Sequence, residues 1–306
     1  LLVFGTKIGA RVDGAMTVFK IAIVFFVVIV GFFYVKASNF TPFIPPSEPA
    51  SAVSGGSLAA NSLNQPLWQW ATGMAPSVYG VPGILSGAAL VFFAFLGFDV
   101  VATASEETIN PKRNVPLGIG AGMTLIIIMY TLVAIVTTGM VSYKDLAKRD
   151  SPSLATAFEL VGADWAAKII SFGIVLGLAT VVMVLLLGLT RIVFAMSRDG
   201  LLPRGLSKTG KHGTPAALQI VVGAVVALVA AFFDIGVLSD MVNIGTLSAF
   251  TLVAISIPIM RKKRPDLPRA FKMPGSPWIP ILIAVANFWL MLNLSVLTWI
   301  RFVVWL

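Results

Sequence analysis

The stretch FFAFLGFDVVATASEE, Phe92 to Glu107, decides how the chain folds. It lies in a run apolar enough to cross a bilayer, yet Gly97 stands at its centre and Asp99 follows two residues on. A helix continuing unbroken through Phe95, Leu96 and Gly97 would satisfy its own backbone, and in lipid nothing else does so cheaply. Glycine costs a helix about 1 kcal/mol relative to alanine, but it also lets neighbouring helices approach. Gly97 alone therefore reads either as a packing site or as a weak point. Asp99 adds a second constraint, because a carboxylate about a dozen residues from either end of a span is expensive unless it faces protein or water. A helix that breaks near Ala94 to Gly97 accounts for both residues. The break frees carbonyls and amides to hold a ligand near the midplane, as discontinuous membrane helices do. Phe92, Phe93, Phe95 and Phe98 would supply a lid and an apolar wall, with Phe92 and Phe98 read as lipid-facing.

The rest of the chain fits that setting. Hydrophobic residues make up 58% and charged residues 11% of the 306 positions, against roughly 25% charge in an ordinary soluble domain. Apolar runs of about 20 residues, the length that crosses a bilayer core, fall near 15–35, 83–104, 117–140, 167–196, 215–234, 237–260 and 278–299. An eighth begins at about Ile300 and runs to Leu306. The expected fold class is all-α integral membrane, with about seven full transmembrane helices and part of an eighth in one domain. The chain opens at Leu1 without a methionine and closes inside RFVVWL, so it is expected to be a piece of a longer protein.

The net charge of +9 suggests nucleic acid only until its distribution is read. With alternate loops on opposite sides, fifteen of the 22 Lys and Arg residues share one side. That is the positive-inside pattern, which sets orientation and favours contact with anionic lipid heads. The first span then runs outward, and 36–82 becomes an extracellular loop. Within it, WQWATGMAP, with Trp68 and Trp70, suits a short interfacial helix; a disordered linker is the other reading. SYKDLAKRDSPSLATAFELVGADWAAK has an apolar stripe at helical spacing, so a short amphipathic helix is expected ahead of Ala167.

Two titratable residues stand out beside Asp99. Lys20 lies about 8 Å inside the first span, where its ammonium either snorkels to the interface or sits in a functional interior with its charge state linked to activity. His212, in KTGKHGTP, reads as a loop residue. With no cysteine, disulfide and thiol chemistry is excluded. GxxxxGK[ST], HExxH and GxSxG are absent, leaving nucleotide hydrolysis, metal chemistry and serine catalysis without their usual signatures. No catalytic residue, cofactor, metal or nucleic-acid partner is expected.

FFAFLGFD followed by ASEETINPKRNVPLGI resembles the sixth transmembrane helix and following loop of the amino acid, polyamine and organocation transporters. GTKIGARVDGAMTVFKIAIV, NFTPFIPP, FAMSRDGLLP, VNIGTLSAF and RPDLPRAFKMPG are similar to segments of the cationic amino acid transporter family within them. The resemblance implies the leucine-transporter-type fold of two inverted five-helix repeats, entered here at the fifth helix and left at the start of the twelfth, with helices one to four absent. It implies that Phe93 is an aromatic gate and that the backbone around Phe93, Ala94, Phe95, Leu96 and Gly97 holds the substrate. It also makes Asp99 and Lys20 candidates for proton coupling, the lysine standing where sodium binds in relatives. Leu185 would lie near the side-chain pocket. Many relatives read YGQTR where this chain has Leu187, Gly188, Leu189, Thr190 and Arg191, so either a cationic or a small neutral amino acid fits. The implied activity is secondary amino acid transport across the plasma membrane by alternating access, coupled to protons or operating as an exchanger. An ion channel and a transport-inactive sensor or scaffold on the same fold are the alternatives.

Overall fold

The computed structural model describes residues 6–50, 62–98, 101, 108–149, 152–203, 216–267, 269, 273 and 275–306. Asp99 and His212 lie outside the described residues. The chain divides into two units, one from residues 1–43 and 97–229, the other from 44–96 and 230–306.

The first unit contains α1 (Thr6–Phe32). The second contains the short helix α2 (Leu67–Thr72) and then α3 (Gly80–Val91). The chain returns to the first unit with α4 (Pro111–Met140), α5 (Tyr143–Ala147), α6 (Leu154–Leu160) and α7 (Asp164–Arg198). The helix α8 (Ala216–Phe232) belongs to it through Val229. The second unit is completed by α9 (Ile235–Lys263), α10 (Trp278–Leu292) and α11 (Val296–Trp305). A two-residue antiparallel ladder, β1 (Glu48–Pro49) with β2 (Ser77–Val78), brackets the polar segment.

Among the described residues, four helices are long and apolar enough to cross a membrane: α1 from Gly14, α4, α7 and α9. They overlap four of the expected spans. Shorter apolar helices occupy Gly80–Phe95, Leu218–Phe232, Trp278–Leu292 and Val296–Trp305. The last of these starts at Val296, not at Ile300 as hydropathy suggests. Ser295 ends the preceding turn, its Oγ accepting from the Thr298 amide at 3.2 Å, and an N-cap of this kind is invisible to an apolar window.

The apolar face of a water-soluble helix points inward, but here much of it points out. On α7, Phe172, Val175, Leu178 and Val182 are all exposed, whereas Ile170, Gly173 and Thr180 are buried. The exposed stripe suits hydrocarbon, and the buried stripe of small residues suits a close neighbour. That neighbour is α1: a β-carbon on Gly173 would stand 3.0 Å from Ile23 Cγ1 and Cγ2. The core of this unit gathers Val27 from α1, Val136 and Met140 from α4, Phe158 from α6 and Ile170 from α7, with Ala155, Ala157, Ala163, Ala166 and Ala167 between them. Ser153 and Thr156 form a capping box that starts α6, and α5 and α6 lie where an amphipathic helix was expected.

In the second unit, α2 gives the WQW stretch its order. Trp68 Nε1 donates to Asn293 Oδ1 at 2.9 Å, the Leu67 amide to the Leu294 carbonyl at 3.0 Å, and the Val296 amide to the Gln65 carbonyl at 3.1 Å. These bonds fasten the polar segment to the turn between α10 and α11, so residues 62–72 are not a free linker.

Gly173→Leu should overfill the α1–α7 contact, at a cost of about 1–3 kcal/mol. Thermal unfolding in detergent should show a lower midpoint; an unchanged midpoint would mean that α1 and α7 do not approach this closely.

Candidate functional site

The α3 helix fails where the sequence placed a weak point, beginning slightly earlier. Regular α geometry ends at Val91, and Phe92–Phe95 form a 3₁₀ turn. Leu96 is extended, with φ −64° and ψ 145°, and Gly97 takes φ +113°. Only glycine adopts that φ without strain, because a β-carbon would crowd the neighbouring carbonyls. The backbone thus changes direction over six residues in a segment that carries almost no polar side chain.

The break has a firm inner wall. Phe92 is half-buried and packs on the cluster of Ala89, Ile244, Leu247, Met291, Leu294 and Phe302. Its ring meets Phe250 edge-on at 6.2 Å. The expectation that Phe92 faces lipid is therefore corrected: Phe92 lies three residues beyond buried Ala89, on the same face of the helix, and packs with it on the cluster. Phe93 is 42% exposed, Ala94 is exposed, and Phe95, Leu96, Gly97 and Phe98 are half-buried.

Polar groups of α9 approach the same helix. Asn243, fully buried, donates from Nδ2 to the Ala89 carbonyl at 3.2 Å. One turn earlier on α9, Asp240 Oδ2 accepts from Thr298 Oγ1 at 3.1 Å, and Thr298 Oγ1 lies 2.8 Å from Ser295 Oγ. Sequence reading named Asp99 as the acid within a span and passed over Asp240 and Asn243. The available signal was a carboxylate and an amide three residues apart in the apolar run GVLSDMVNIGTL.

Lys20 and Leu185 belong to the first unit, and Phe93 to Leu96 to the second. Lys20 is half-buried and its stem lies on α7, with Cδ 3.5 Å from where a Gly177 β-carbon would stand. The contact is made by the stem, which both readings of the lysine accommodate. Leu185 is 45% exposed and lies eight residues beyond Gly177, about 12 Å along α7. Lys20 and Leu185 are thus on the same pair of helices but not in one cluster. A cavity of about 760 Å³ opens near the end of α1, between Tyr34, Lys36, Asn39, Ser142 and Asp145, and contains none of these candidates.

Gly97→Ala should strain the turn, at a cost of about 1–3 kcal/mol. A lowered thermal midpoint is expected, and equal stability would contradict the left-handed backbone at this position.

Comparison with known proteins bears on what the broken helix does. The family model described as amino acid permease matches residues 1–304. The chain is 40% identical, over all of its length and 59% of the relative's, to the branched-chain amino acid permease BcaP of Bacillus subtilis. It is 37% identical to the methylthioribose transporter of the same organism, over 99% of this chain and 58% of that protein. It is 44% identical to the mitochondrial cationic amino acid transporter 3 of Arabidopsis thaliana, over 62% of this chain and 31% of that protein. The chain thus spans less than three fifths of the length of these relatives.

Proposed function

The chain belongs to the amino acid permease family, and on that premise we propose that the whole protein is a secondary amino acid transporter working by alternating access. Relatives bear permease and transporter names rather than enzyme names, and the membrane-length helices agree with a multi-pass membrane protein. The observation that carries the reading is the break at Phe92–Gly97. A backbone that leaves the α-helical pattern inside an apolar segment is tolerated where it meets protein, water or a ligand, and such breaks hold substrates in secondary transporters.

In this reading the segment Phe93, Ala94, Phe95, Leu96 and Gly97 receives the amino acid and Phe93 closes over it, while Leu185 remains a separate candidate on α7. All of these residues are apolar or glycine. The described part of the break thus supports a neutral aliphatic substrate over a cationic one, in keeping with the name of the branched-chain relative. Lys20 and Asp99 couple transport to protons, Lys20 through an ammonium whose stem is already held against α7. The site needs no cofactor, and the basic loops face anionic lipid on the inner side of the plasma or cytoplasmic membrane.

Counterflow tests the proposal. Vesicles holding the whole protein and unlabelled leucine should take up labelled leucine faster than empty ones, whereas a channel or a sensor would show no trans-acceleration. Phe93→Ala should weaken apparent substrate affinity by about tenfold, or about 1.4 kcal/mol; unchanged affinity and uptake would remove Phe93 from the gate. Lys20→Met should flatten the pH profile of uptake, and a retained profile would leave the lysine a packing role only.

A further inference from the structure

The amide of Asn243 makes a contact that joins α9 to the end of the broken helix. Ala89 lies in the last turn of α3, two residues before Val91 and three before the 3₁₀ turn. The last four carbonyls of an α-helix lack intrahelical donors. Asn243 Nδ2 supplies a donor to one of them at 3.2 Å, and both residues are fully excluded from the surface. Because a carbonyl only accepts, the amide nitrogen must face Ala89, which turns Oδ1 the other way. Oδ1 is buried and has no hydrogen-bond partner among the described residues. A side chain able to make four hydrogen bonds is thus buried with its oxygen unmatched and its nitrogen on Ala89. Solvation of the side chain does not explain that arrangement; holding a particular carbonyl does.

We propose that Asn243 is a positioning residue for the transport cycle: its amide fixes the end of α3, and hence the start of the break, in the conformation seen here, and releases it when the helix rearranges. The incompletely bonded amide suits a tie that is made and broken, because letting go of Ala89 loses only one bond. Ile244 and Leu247 on the same helix pack beside Ala89 and Phe92 and keep the two helices apposed while the amide switches. The inference rests on the permease reading for its functional meaning, but the bond itself can be tested without transport.

Two variants of the whole protein separate the possibilities. In Asn243→Leu the shape is roughly kept and the donor is lost. In Asn243→Asp an ionised carboxylate cannot donate to Ala89, whereas the protonated acid can, and burial favours the protonated form. Asp240 is the titratable group nearby on α9, hydrogen-bonded to Thr298. Of the helices packed against α9, α3 and α10 carry no charged residue and α11 carries Arg301. Both variants retain these groups, so comparing Asn243→Asp with Asn243→Leu at each pH isolates the new carboxyl.

Both variants should lose about tenfold in maximal exchange rate at pH near 8, with a smaller change in half-saturation. On acidification to about pH 5, Asn243→Asp should regain rate and thermal midpoint relative to Asn243→Leu, since only it recovers a donor. A normal rate in Asn243→Leu would overturn the proposal, and so would parallel pH profiles for the two variants. If the wild-type protein shows no counterflow with any amino acid, the permease reading fails and the transport role of Asn243 falls with it.

Discussion

In hydrocarbon a backbone that leaves the helix must find other partners, and the second unit is organised around meeting that demand. The departure at Phe92 is gradual: an α-helix, a 3₁₀ turn, one extended residue, and then a glycine with φ +113°. Its start is supported from the side. Phe92 is clamped between the apolar cluster and Phe250, and Asn243 holds the carbonyl of Ala89. The irregular segment is therefore the tip of a well-packed arm. A binding segment benefits from having its flanks fixed, since ordering costs are met before binding.

Much of this was legible in the sequence because the break combines two costs. A glycine and an acid within three positions of an apolar run are hard to explain by packing alone, and they placed the irregularity within a few residues of where it occurs. The offset is informative. The reading at Ala94–Gly97 followed the residue that permits the turn, whereas the structure starts turning at Phe92, before the permissive glycine. The assignment of Phe92 to lipid followed from its apolar side chain alone, and its packing on the cluster overturned it. The helical period from buried Ala89 would have placed Phe92 on the inner face.

Other features were illegible for a different reason. The junction between α10 and α11 lies inside LNLSVLTWIRFVVWL, where hydropathy changes little. It is set by the Ser295 cap and by backbone bonds from residues 65–67, more than two hundred positions away in sequence. The Asn243 contact spans 154 positions, and although an amide in an apolar run signals a joint, nothing local in VNIGTLSAF names the partner helix. The contact of Lys20 with α7 was half visible, since the glycines of GIVLGLAT advertised a close neighbour without naming it.

The described hydroxyls suggest how such residues can be sorted. Thr180 returns its proton to Gly177, Thr190 to Leu187, Ser239 to Gly236, Ser248 to Gly245 and Thr251 to Leu247, each within its own helix. A serine or threonine in a span can thus satisfy itself locally and needs no partner helix. Amides and carboxylates are poorly suited to that solution, because an amide offers both donors and acceptors and a carboxylate must be met by donors. Asn243 and Asp240 reach to other helices, and Asn293 Oδ1 accepts from Trp68 on the short helix α2. In an apolar helix, then, hydroxyls mostly report local satisfaction, whereas Asn and Asp mark the places where separate elements are joined. The α9 tie and the α2 anchor both carry that mark.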